Sequence, residues 1–119
     1  MKPTVSNDNG NSYDAVRLCL TLSEVGNSFR DGLNAQVFLR DLHGRTLLTH
    51  EDSYNAFRAL KRGAAREVTK ALQPLVRIAR AYRAGLLTMP AEEVVVQNDK
   101  RLPLLKLSDV LQAEQLLAA

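Results

Sequence analysis

At 119 residues, 45% apolar and 24% charged, the chain has the size and balance of one globular domain, with enough material for a core without metals or cross-links. A lone cysteine excludes an intrachain disulfide, there is no apolar run of the kind a secretory signal or a bilayer span needs, and a cytoplasmic protein is expected. The net charge of +3 hides a polarity: the 58–83 stretch holds eight basic residues and one acid, and the remainder is acidic overall.

Residues 1–12 are rich in Asn, Ser, Asp and Gly and are expected to form a flexible tail before a single helical domain over 13–119. From Asp14 to Val25, Leu outnumbers β-branched residues, so a helix is expected there, stopped by Gly26 and Asn27. The alternation Val16, Leu18, Leu20, Leu22 leaves a strand open as the other reading.

Ser28 to His43 reads as a second helix. Ser28 stands as N-cap, Asp31 at the third helical position, and Gly44 just past the end. Its interior apolar residues spread around the wheel, so the alternative is a hairpin over Val37–Leu48, turning at His43 and Gly44.

Thr49 and Asp52 have capping-box spacing and open the most regular stretch. Over 57–86 the basic residues, Arg58, Lys61, Arg62, Arg66, Lys70, Arg77, Arg80 and Arg83, share one half of a helical wheel. Phe57, Leu60, Ala64, Val68, Ala71, Leu75, Ile78, Tyr82 and Leu86 share the other. One long amphipathic helix is expected, loosened or divided at Gly63 and kinked or broken at Pro74. The run Ala64, Val68, Ala71, Leu75, Ile78, Tyr82 alternates steps of four and three, the spacing of a seam against another helix. The other predicted helices are short, so that seam is read first as the contact of a homodimer, with this chain's own core as the alternative.

Val94–Val96 followed by Asn98-Asp99 fits a small β-hairpin near 93–107, with Pro103 confining the return strand to an edge; an extended arm is the equal alternative. Ser108 is expected to cap a last helix packed through Val110, Leu111, Leu116 and Leu117. No internal repeat is read. The fold class expected is mostly α, a small helical domain built around one long kinked helix with a minor hairpin near 93–107; the alternative is α+β.

Nothing in the chain spells out catalysis. His43 and His50 lack a third ligand at metal spacing, Cys19 sits in an apolar element with no base placed beside it, and the glycines are scattered rather than gathered in a phosphate loop. No metal, no cofactor and no enzymatic activity is expected. The basic face is the remaining candidate, with Arg58, Arg62, Arg66, Lys70, Arg77 and Arg80 as partner-binding residues. The plainest reading is a solvated flank. A protein partner suits its Arg and Tyr content. Nucleic acid is second choice, because Asn and Gln are all but missing from the face and no helix-turn-helix spacing is present. A membrane surface is not expected, because Ala64, Ala71 and Ala79 make the apolar side too thin.

The stretches YDAVRLCLTLSEVGNSFRDGL and THEDSYNAFRALKRGAAREV, together with the overall size, resemble the small antiactivators of bacterial quorum sensing. That resemblance implies a non-enzymatic protein that binds a LuxR-type transcription regulator and masks its dimerisation surface. The alternative function is a basic helical DNA-binding or nucleoid-type protein.

Overall fold

The computed structural model describes residues 3–28 and 36–118, with side chains in the first helix from Asp14 onward. Among the described residues the order is α1 (Pro3–Ser28), β1 (Val37–Arg40), β2 (Thr46–Thr49), α2 (His50–Arg62), α3 (Ala65–Lys70), α4 (Gln73–Arg83), β3 (Val94–Gln97), β4 (Pro103–Lys106) and α5 (Leu107–Ala118). The fold is helix-rich and α+β, with two small antiparallel hairpins.

The stretch 57–86 is helical to Arg83 in three pieces, divided at Gly63 as the expectation allowed and broken a second time before Pro74. Gly63 ends α2 in the left-handed region (φ 73°), its N–H reaching Ala59 O, and Ala64 then turns the chain into α3. Ala71 and Leu72 break the path again. Pro74 kinks nothing; it stands in the first turn of α4, where its missing N–H costs no hydrogen bond. Thr49 and Asp52 form both halves of the expected capping box on α2.

Residues 14–25 are helical as expected, within a helix that starts at Pro3, inside the stretch read as a tail. It runs on through Gly26 to Ser28, so Gly26 is no stop and Ser28 no cap. A Cβ on Gly26 would lie 2.8 Å from Ser53 Cβ, so the glycine lets α1 and α2 close on each other. That approach selects what α2 buries: Ser53, Ala56 and Ala59 face inward, and Phe57, read on the apolar half, stands at the surface.

The helix expected over 28–43 is corrected to its alternative. β1 and β2 pair as a hairpin, because the apolar residues of this stretch spread around a helical wheel, whereas Phe38 and Leu39 pack against the core from a strand. Asp31, Gly32 and Leu33 lie outside the described residues. The hairpin expected near 93–107 is present as β3 and β4, with Pro103 opening an edge strand. The last helix starts one residue before Ser108, and its N-terminal acceptor is Asp109, which takes the Lys106 N–H at 3.0 Å.

An internal repeat is present, against expectation. The cross-strand partners Val37↔Thr49, Leu39↔Leu48 and Arg40↔Thr46 recur 57 positions on (37 to 94, 49 to 106) as Val94↔Lys106, Val96↔Leu105 and Gln97↔Pro103. In the first turn Asp41 Oδ1 accepts from the backbone of His43 and Arg45; in the second Asn98 Oδ1 accepts from Lys100 and Leu102. The residue three on is left-handed in both, Gly44 at φ 83° and Arg101 at φ 65°. Each hairpin runs directly into a helix whose third residue is an aspartate, Asp52 or Asp109, bonded back to the last strand residue. The buried residues Ala15, Leu18, Cys19 and Leu22 of α1 correspond at the same interval to Leu72, just before α4, and to Leu75, Val76 and Ala79 within it.

The chain is thus two helix–hairpin–helix units, α1-β1-β2-α2 and α4-β3-β4-α5, joined by α3. They exchange contacts reciprocally: α1 packs on β4 and α4 packs on β2. Arg17 of the first unit pairs with Asp109 of the second at 3.5 Å, and Arg77 of the second with Asp52 of the first at 3.3 Å. Such reciprocity is the signature of an isologous dimer interface, here formed inside one chain. One core joins the halves, led by Leu18, Leu22, Leu48, Leu72, Leu75, Ile78, Leu105 and Val110.

Candidate binding groove

The breaks at Gly63 and at Ala71-Leu72 bring separate parts of the basic stretch face to face. α2 presents Asn55, Arg58 and Arg62 from one side of the helix, at spacings of three and four. α3 adds Arg66, Glu67 and Lys70, and the start of α4 adds Gln73, Pro74 and Arg77. With Asp52 these residues line a groove of about 600 Å³. Five cations and two carboxylates share it, and a concave wall of low-dielectric protein strengthens the field they make.

Two of the cations are held by the groove's own acids. Arg62 Nη1 lies 3.0 Å from Glu67 Oε1, an ion pair that spans the Gly63 break. Arg77 reaches Asp52 at 3.3 Å and also donates to Leu47 O at 3.1 Å, fastening α4 to β2 and to the start of α2. Arg58, Arg66 and Lys70 make no ion pair among the described residues. Arg58 lies over the Tyr54 ring, 5.8 Å from its centroid.

Five of the six expected partner-binding residues, Arg58, Arg62, Arg66, Lys70 and Arg77, therefore meet in one place. Arg80 does not line the groove. Its charge acts on Glu114 of α5, whose carboxyl is held below its ordinary range first by the hydrogen bond from Arg83 and further by the charges of Arg83 and Arg80. The seam residues divide as well. Val68, Leu75 and Ile78 are buried in this chain's own core and Ala71 packs against it, while Ala64 and Tyr82 are exposed at the two ends. With the middle of the seam filled from within, the reason for expecting a second copy there falls away. Asn55 and Gln73 were not among the expected partner-binding residues, nor were Asp52, expected as a helix cap, and Glu67, the one acid of the basic stretch; the signal that could have found them is helical spacing from the arginines.

The other titratable candidates lie apart from the groove. Cys19 is buried, its thiol donates to Val68 O at 3.4 Å, and burial pushes it up to about 11. His50 stands edge-on to Phe38 with ring centroids 6.1 Å apart, and His43 lies exposed in the first hairpin turn. Among the described residues there is no cluster of three or more His, Cys, Asp or Glu that would hold a metal, and no helix long and apolar enough to cross a membrane. Compared with protein-family models, with curated proteins and with solved structures, the chain matches none.

Proposed function

We propose that the protein is a non-enzymatic binding module that captures an acidic segment of another protein in the α2–α3–α4 groove. One observation carries this reading: Arg58, Arg66 and Lys70 converge on a concave surface without a carboxylate of their own, beside Arg62 and Arg77. Converging cations select a negatively charged partner and speed its approach. A groove of about 600 Å³ admits side chains or one extended strand, not the body of a duplex. The resemblance to quorum-sensing antiactivators makes a transcription regulator the first partner to try, masked at its dimerisation surface. Nucleic-acid phosphate is the second reading, drawn by the same cations.

The test is affinity capture from bacterial lysate with and without nuclease, using the wild-type chain and a double charge reversal, Arg66→Glu with Lys70→Glu. Both positions are exposed, so the fold should survive the change. A protein retained after nuclease, and associating about tenfold more slowly with the variant at low salt, is the expected result. Capture that disappears with nuclease moves the function to nucleic acid.

A further inference from the structure

Resting on that reading, we propose that the acidic segment carries an apolar side chain that seats against Tyr54 and Phe57 of α2, and that it docks once per chain. Both rings are about half exposed, Tyr54 at 52% and Phe57 at 46%, on an otherwise polar helix face. Their centroids lie 6.3 Å apart. Arg58 stands over Tyr54, and Lys61 over Phe57 at 5.5 Å. Arg58 also lines the groove, so cationic trough and aromatic pair are one continuous surface. Beyond the rings a hollow of about 250 Å³ opens between the end of α1 and α2, bordered by Asn27 and His50 as well as by the two aromatics.

The repeat supplies an internal control. The second unit builds the same helix with a half-buried Leu111 at the position of Tyr54, Glu114 at that of Phe57 and Gln115 at that of Arg58. The units agree where the fold needs agreement, at Asp52 and Asp109 and at Ala56 and Ala113. The architecture therefore forms without two rings at the surface and without the Arg58 guanidinium. Arg66 and Lys70 belong to the joining helix α3, which neither unit contains. What distinguishes the first unit's face from its counterpart is a set of binding groups, present once.

The charges of the trough set the occupant as a carboxylate-rich protein segment, and the rings add a place for a neighbouring aliphatic or aromatic side chain. A single-stranded nucleic acid would need open ring faces to stack its bases. Here the two ring planes tilt by 31° and do not form a parallel platform.

The experiment is fluorescence anisotropy of the full chain with three labelled probes: a short Glu-rich peptide bearing two leucines, the same peptide with serines in their place, and a short oligothymidylate. Phe57→Ala and Tyr54→Ala are compared with wild type after circular dichroism shows the helices intact. The expected result is that the leucine peptide binds about tenfold tighter than the serine peptide, with one site per chain, and that either variant erases the difference without weakening the serine peptide. Equal binding of the two peptides, unchanged by the variants, overturns the anchor and leaves the groove reading standing. Binding of neither peptide at low salt overturns both. Tightest binding by the oligothymidylate, weakened by Phe57→Ala, replaces the proposal with a single-strand platform.

Discussion

Gly26 shows how a single absent methyl sets a helix pair. Its place in the sequence, beside Asn27 after an apolar run, carries the marks of a helix end, and nothing local announces that Ser53 will stand against it. With a Cβ only 2.8 Å from Ser53 Cβ, Gly26→Ala must push α1 and α2 apart. Overpacking of that kind costs about 1–3 kcal/mol, partly offset by the roughly 1 kcal/mol that alanine gains over glycine inside a helix. The urea midpoint should fall, and adding Ser53→Gly should restore part of the loss. A double-mutant cycle measures that coupling, and simple additivity of the two changes would contradict the contact.

Among elements, the first hairpin depends on Asp41. Its carboxylate takes the backbone N–H groups of His43 and Arg45 and the Arg45 guanidinium, at 2.8 to 2.9 Å. Burial works against its charge, but the hydrogen bonds from Arg45 and His43 and the Arg45 charge outweigh it and hold the carboxyl below its ordinary range. A carboxyl whose folded value is depressed stabilises the protein above the ordinary carboxylate pKa and loses that contribution as pH falls through the depressed value. Asp41→Asn should therefore melt earlier than wild type at neutral pH, with the gap closing in acid; thermal melts across that range check it. The capping box of α2 and the β3–β4 hairpin could be read in advance because their signals are local: Thr49 with Asp52, and three valines before Asn98-Asp99. β1 was legible only as the alternative reading, because Ser28 and Gly44 imitate the two ends of a helix and the strand's partner lies beyond a turn. The repeat stayed hidden for a related reason. At the 57-residue interval the units are identical only at Leu18 and Leu75, Val37 and Val94, Leu47 and Leu104, Leu48 and Leu105, Asp52 and Asp109, Ala56 and Ala113, and Leu60 and Leu117. Hydrogen-bond geometry that uses backbone groups leaves little trace in side-chain identity.

Across the whole molecule, the basic set was visible as a stripe, but its concavity was not, because the path of the chain after Gly63 is decided by where Val68, Leu72 and Leu75 find the core. The same burial makes Ile78→Ala a test of how the seam is used. Loss of about 2–5 kcal/mol is expected from the cavity, with a melting temperature lowered equally at every protein concentration. A drop that grows on dilution would place Ile78 in a contact between chains. The reciprocal packing of the two units has one more consequence. In a pair of identical chains every surface edit appears on both sides, so a partner meets the same lip twice and can approach either way round. Here the two lips are spelled separately: where one offers Gln73 and Arg77, the other offers Val16 and Leu20 at the same interval. The tether between the halves frees this protein to have a front and a back.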